Sequence, residues 1–315
     1  MTKYYFGIDI GGTFIKGAIV DNEGNIKVST KVPTERTLGG EQVFSNVISI
    51  CNILLDMANM KKEDITAIGI GVPGMVDSES GIVVSVSKLG WKNFDLCKRI
   101  SDVFGIPARA ANDANAAALG ELKFGFKDKY KNLVLLTLGT GVGGGIIIDG
   151  KLYEGNRGAG AEIGHSVIKL GGERCNCGRR GCLEAYCSAS AIIRDTKRAM
   201  EIHPDSKMWE IGSLDSVDGK TAFDFCSTDP YAKEVVDGFI THLAAGVTNV
   251  ANIFRPEAVV LGGGVCAQGK ALTDPIQEIV NEEIFAGSLG PRVEVLTAQL
   301  KNDAGSLGAA ALVIE

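Results

Sequence analysis

The chain has 315 residues, a length natural for two domains rather than one core. Apolar residues make up 45 % and charged residues 22 %, which excludes disordered and fibrous classes. A net charge of −6 and a pI near 5.3 offer no basic face, arguing against nucleic acid as a partner.

In chain order, MTKYYFGIDIGG carries one Lys and then a short apolar run broken by Asp9, which is no signal peptide. Ile8–Val20 reads as a strand, a glycine turn and a second strand, with a hairpin signal at Asp21–Asn25. Residues 41–60 have helical apolar spacing, and Ile65–Gly71 is a short apolar strand entering Val72-Pro73-Gly74. Ile106–Ala111 reads as a strand, after which Asn112-Asp113-Ala114-Asn115 opens an Ala-rich helix. Leu136–Ile148 is again strand, glycine turn and strand, closed by Asp149-Gly150. The longest uncharged stretch, Asn132–Ile148, is glycine-rich and short of a spanning helix, so the expectation is a cytoplasmic chain with no membrane partner. Residues 201–230 read as a polar insertion with short helices, and Val235–Ile253 as a long helix. Ala258–Leu261 is a buried strand running into Gly262-Gly263-Gly264, and Asp303–Gly308 precedes an Ala-rich closing helix.

The pattern is α/β and contains its own duplication. At an offset of 128 residues (139 − 11), Gly11 meets Gly139, Gly12 meets Thr140, Gly17 meets Gly145 and Asp21 meets Asp149. Glycine is the anomaly of composition: 41 of 315 residues, about 13 % against a usual share of about 7 %. The glycines gather at strand ends, where they allow tight turns and close approach of backbone to a ligand, which suggests nucleotide handling. Gly139–Gly144 satisfies G-x-G-x-x-G, yet a strand rather than a helix follows it, so a dinucleotide-binding dehydrogenase is excluded.

Of eight cysteines, Cys51, Cys97, Cys226 and Cys266 are scattered and read as small buried hydrophobes. Cys175, Cys177, Cys182 and Cys187 cluster, which inside a cell points to metal rather than disulfides. Cys175-x-Cys177-x₄-Cys182 with His165 makes a closed tetrahedral set of the structural zinc kind; Cys187 is left over. His203 and His242 read as structural.

Asp9-Ile10-Gly11-Gly12-Thr13 before Lys16, Asn112-Asp113, Leu138–Gly145, Glu162-Ile163-Gly164-His165 and Cys175-x-Cys177-Gly178-x-x-Gly181-Cys182-x-Glu184 together resemble the ROK family (repressors, open reading frames, kinases), most closely its bacterial glucokinase branch. The likeness spans essentially the whole chain. It implies the two-domain ribonuclease H-like or actin-like ATPase fold, with ATP and sugar in the interdomain cleft. The implied domains are 1–115 plus about 300–315, the last helix crossing back, and 116–299.

The resemblance also implies roles. Gly11, Gly12 and Thr13, with Lys16, contact phosphate from one domain; Thr140, Gly141 and Gly143 do so from the other, and Gly263 and Gly264 add nucleotide contacts. Backbone amides of such turns form anion-binding concavities. Asp9 would hold Mg²⁺ through water. Asp113, at a helix start where the dipole favours the ionised form, would be the general base. Asn112, Glu162, His165 and Glu184 would contact sugar hydroxyls, as would Asp113 and the turn at Gly74. The zinc would leave no open position for chemistry and would instead fix the sugar loop.

The expected activity is transfer of the γ-phosphate of ATP to the 6-hydroxyl of glucose by a homodimer or homotetramer. N-acetylmannosamine kinase is the alternative, with other hexoses further off. A sugar-responsive regulator would need a DNA-binding segment ahead of the glycine turn, for which Asp9 leaves no room. A non-catalytic ATPase switch would not need Glu162, His165 and Glu184 together.

Overall fold

A computed structural model describes residues 2–314. The first strands are β1 (Tyr4–Ile10), β2 (Phe14–Asp21) and β3 (Ile26–Pro33), followed by helix α1 (Gly40–Ala58) and strand β4 (Ile65–Val72). A small antiparallel sheet comes next, β5 (Met75–Asp77), β6 (Ile82–Val86) and β7 (Trp91–Phe94); the sequence reading assigned no strands there. Then follow α2 (Leu96–Phe104), β8 (Ala108–Asn112) and α3 (Asp113–Gly120). The strand order is β3-β2-β1-β4-β8, antiparallel across β3, β2 and β1 and parallel from β1 to β8.

The second half runs β9 (Leu133–Leu138), β10 (Val142–Ile148), β11 (Lys151–Tyr153), α4 (Glu184–Cys187), α5 (Ala189–Ile202), α6 (Thr221–Phe225), α7 (Pro230–Phe254), β12 (Ala258–Gly262), α8 (Lys270–Glu283) and β13 (Glu294–Thr297). Its sheet order is β11-β10-β9-β12-β13. Replacing β3, β2, β1, β4 and β8 by these five strands in turn reproduces the first sheet, including the parallel β9–β12–β13 pairs. The duplication is thus topological as well as a match of residues. The polar insertion forms the end of α5, two 3₁₀ turns and α6.

Two compact units result. Among the described residues, one holds 2–131, 145–161 and 299–314, the last with helix α9 (Ala304–Ala311); the other holds 132–144 and 162–298. Residues 116–131 and 145–161, placed in the C-terminal domain by the sequence reading, pack with the N-terminal segment.

In the first unit, Phe6, Ile8 and Ile10 of β1 face α1, where Val47, Ile50 and Leu54 meet them. The opposite face carries Tyr5, Ala18, Val20 and Ala67, covered by Leu307 and Ala310 of α9. A period of two on the strands against 3.6 on the helices makes both faces at once. Among the described residues, no helix is long and apolar enough to cross a membrane.

Candidate active site and metal centre

The first glycine turn, Gly11-Gly12-Thr13, links β1 to β2. It is closed by Gly11 N–H donating to Phe14 O at 3.0 Å. Gly11 must be small, since a Cβ would lie 2.8 Å from that carbonyl. Thr34, fully buried, donates its hydroxyl to Gly11 O at 2.7 Å and its N–H to Thr13 O. With its carbonyls held from behind, the turn leaves Gly12 and Thr13 exposed to solvent.

The second turn, Gly139-Thr140-Gly141, links β9 to β10 and is held the same way. Ala189 N–H donates to Gly139 O at 2.8 Å, and Ser190 Oγ donates to Thr140 O at 2.9 Å. Gly143 lies within strand β10 rather than in the turn. Gly263 follows β12 at φ 94°, packed so closely on Leu138 that no Cβ fits, whereas Gly264 has open space around it. Thr34 and Ser190 escaped the sequence reading; their only signal is a hydroxyl side chain far along the chain from the turn it supports.

Asp9, the penultimate residue of β1, lies opposite Lys16 in the register of β2. Its carboxylate packs against Gly305 at the first turn of α9, where any side chain would overlap it. Burial pushes the Asp9 carboxyl above the ordinary range, more than Lys16 pulls it down. A divalent cation would favour its ionised form. Lys16 is exposed and lines a cavity with Ser29, Thr30, Lys31, Asp303 and Ser306.

Asn112, last residue of β8, is the N-cap of α3. Its Oδ1 accepts the N–H groups of Ala114 and Asn115, and its Nδ2 donates to Gly74 O at 3.0 Å. Gly74 has φ 92°, a backbone suited to glycine. Asp113 is therefore the first residue of the helix rather than its cap, and its Oδ1 accepts Ala114 N–H at 2.8 Å. The capping by Asn112 leaves Asp113 without an essential capping duty.

Glu162 and His165 flank a 3₁₀ turn at Ile163–His165, with His165 Nε2 4.0 Å from Glu162 Oε2. The other imidazole nitrogen, Nδ1, stands 3.6 Å from Cys175 Sγ. Cys177 Sγ and Cys182 Sγ are 3.7 Å apart, and one ligand atom from each of His165, Cys175, Cys177 and Cys182 falls within 4.8 Å of the others. Tetrahedral zinc with Zn–S about 2.3 Å and Zn–N about 2.0–2.1 Å requires S–S near ~3.8 Å and S–N near ~3.6 Å. The donors fit the ion. Cys187, the buried last residue of α4, stands outside the set. A metal on Nδ1 fixes the imidazole tautomer so that Nε2–H points toward Glu162.

Glu184 joins the metal group to the second turn. Its Oε2 accepts Val142 N–H at 3.0 Å, and Cys175 Sγ lies 3.5 Å from its Oε1. Gly164 packs on the Val142 carbonyl with no room for a Cβ, so the loop carrying His165 also rests on that turn.

These motifs place the chain among known proteins. The ROK family matches residues 5–315. The chain belongs to the ROK family. It is 37 % identical to a glucokinase of Halalkalibacterium halodurans, over 99 % of this chain and 95 % of that one. The structure of a ROK family glucokinase from Streptomyces griseus, solved with glucose and AMPPNP, superposes with a TM-score of 0.83 at 34 % identity, covering 98 % of each chain. A xylose repressor of Bacillus spizizenii is 31 % identical over 99 % of this chain and 77 % of its own length. The fold is the two-domain actin-like ATPase architecture of that family.

Proposed function

We propose that this chain is an ATP-dependent glucokinase, moving the γ-phosphate of ATP to the 6-hydroxyl of glucose. What carries the reading is near-full-length likeness to glucokinases, one of them solved with glucose and an ATP analogue.

Phosphoryl transfer asks mainly for positioning and charge neutralisation. The amides of Gly12 and Thr13 and of the Thr140–Gly141 turn bind phosphate, while the Gly11 N–H, spent on Phe14 O, shapes the first turn; Lys16, Gly143, Gly263 and Gly264 add to the nucleotide side. Asp9 would hold Mg²⁺, and such an ion would supply charge neutralisation at the phosphates. Asp113 takes the proton of the attacking hydroxyl. Asn112, Glu162, His165, Glu184 and the Gly74 turn recognise the sugar; a polar site of this kind rejects sugars that leave its groups unpaired. Zinc holds the His165 and Glu184 loops and takes no part in the chemistry. In this reading the two units are the two lobes of the kinase, and the assembly is a homodimer or homotetramer, measurable by light scattering.

A coupled ADP-release assay across glucose, mannose, fructose, N-acetylglucosamine and N-acetylmannosamine tests the proposal. Glucose should give the highest kcat/KM. A higher value with N-acetylmannosamine would move the assignment to that sugar. No ADP release with any of them would favour a sugar-responsive regulator, the class of the xylose repressor relative.

A further inference from the structure

The Ala-rich helix α3, which begins at Asp113, ends in Gly120-Glu121, and Glu121 is fully buried. A buried carboxylate persists only with hydrogen-bond partners. Here the backbone widens into a π-type turn over Glu121–Gly125, with Phe126 N–H donating to Glu121 O at 2.7 Å. Such turns concentrate at functional sites. Gly125 has no side chain where a Cβ would overlap the Glu121 carboxylate. The carboxylate spends both oxygens on one segment: Oε2 accepts Gln299 N–H and Oε1 accepts Leu300 N–H, each at 2.9 Å.

Gln299 and Leu300 lead through the turn Lys301–Asp303 into α9. That helix is wedged sideways by glycines. Gly120 meets Gly308, Gly7 makes room for the Ser306 carbonyl, Gly69 for that of Ala309, and Gly305 for the Asp9 carboxylate. These contacts seat α9 closely on the sheet and on α3, and the Glu121 bonds hold the segment that enters it. An axial shift of about 1.5 Å, the rise of one residue, would displace the Gly305 backbone against the Asp9 carboxylate that it contacts.

We propose that Glu121 is a positioning residue for phosphoryl transfer: by gripping Gln299 and Leu300 it sets the axial register of α9 against Asp9, at the far end of the helix that carries Asp113. The inference rests on the reading of Asp9 as the Mg²⁺ carboxylate. Displacements near 1 Å at a reacting centre can cost about a hundredfold in rate, so a partial loosening should be visible.

The test compares Glu121→Gln, Glu121→Asp and Asp9→Asn for kcat, KM of glucose and the Mg²⁺ concentration at half-maximal rate. In Glu121→Gln an amide N–H₂ faces a backbone N–H. We expect kcat to fall about tenfold and the Mg²⁺ requirement to rise, with KM of glucose within about twofold of the parent. Glu121→Asp, which keeps two acceptor oxygens, should recover part of the Mg²⁺ response. Should Glu121→Gln fail to fold, Gly125→Ala crowds the same carboxylate and carries the same expectation. A lower melting temperature with kcat and Mg²⁺ response of the folded fraction unchanged would overturn the proposal and leave Glu121 a stabilising residue. An Asp9→Asn enzyme with full turnover would instead overturn the metal reading of Asp9 and the inference with it, whatever Glu121 does.

Discussion

Glu184 accepts the backbone N–H of Val142 at 3.0 Å, and this one bond ties the segment after the last metal cysteine to the glycine turn between β9 and β10. Gly141 makes it feasible, because any Cβ there would overlap the Glu184 carboxylate. The metal loop and the turn therefore behave as a single rigid piece. Its consequences can be measured.

Gly141→Ala should push Glu184 off Val142, lowering stability by about 1–3 kcal/mol, as overpacking commonly does. Affinity for a non-hydrolysable ATP analogue should fall with it. Gly139→Ala is the control, since no protein atom lies near its added Cβ. Equal melting temperatures for the two variants would refute the packing argument.

Asp113→Asn keeps shape and hydrogen bonding but removes the proposed base. Because Asn112 is the cap of α3, helix stability should hardly change. Turnover should drop by at least about a hundredfold, roughly 2.7 kcal/mol of barrier. A variant within about threefold of the parent takes Asp113 out of the chemistry.

Cys177 is the one exposed ligand of the metal set, and the N–H of Arg179 holds its thiol below the ordinary value. Cys177→Ser should bind less zinc, melt lower and bind glucose more weakly, since ligand loss is also loss of folding energy. Elemental analysis of the parent prepared without chelators should give one zinc per chain. Its absence would sink the assignment.

Asp9 has its folded-state pKa raised by burial. Between the unfolded value, about 3.9, and the higher folded one, the folded chain binds more protons, so stability falls as pH rises through that window. At neutral pH the full cost is present. Asp9→Asn should thus melt higher than the parent at pH 7 without Mg²⁺, by a gap that narrows toward pH 4, while losing turnover. An equal or lower melting temperature at pH 7 would contradict this assignment of cost.

The metal quartet was legible because three of its ligands lie within eight residues of sequence and one spacing defines them. The glycine turns were legible because strand, turn and strand are contiguous, and their recurrence at one offset pointed to a duplicated domain, to which the structure adds two sheets of matching strand order. Thr34, Ser190 and Glu121 were not. Each acts on backbone carbonyls or amides distant in sequence, and a backbone partner leaves no residue type to match. The small sheet β5–β7 was missed because its strands are short and only partly apolar. The capping of α3 by Asn112 rather than Asp113 turns on one residue of boundary, the detail that pattern reading resolves least well.

Helix α9 has a consequence for biosynthesis. It covers Tyr5, Ala18, Val20 and Ala67, yet Ala304, where it starts, is translated 237 residues (304 − 67) after the last of them. At elongation rates of about 5–20 residues per second, that sheet face waits many seconds on the ribosome without its cover. Nascent chains stalled before Gln299 should therefore recruit holdase chaperones, and release them once α9 has emerged.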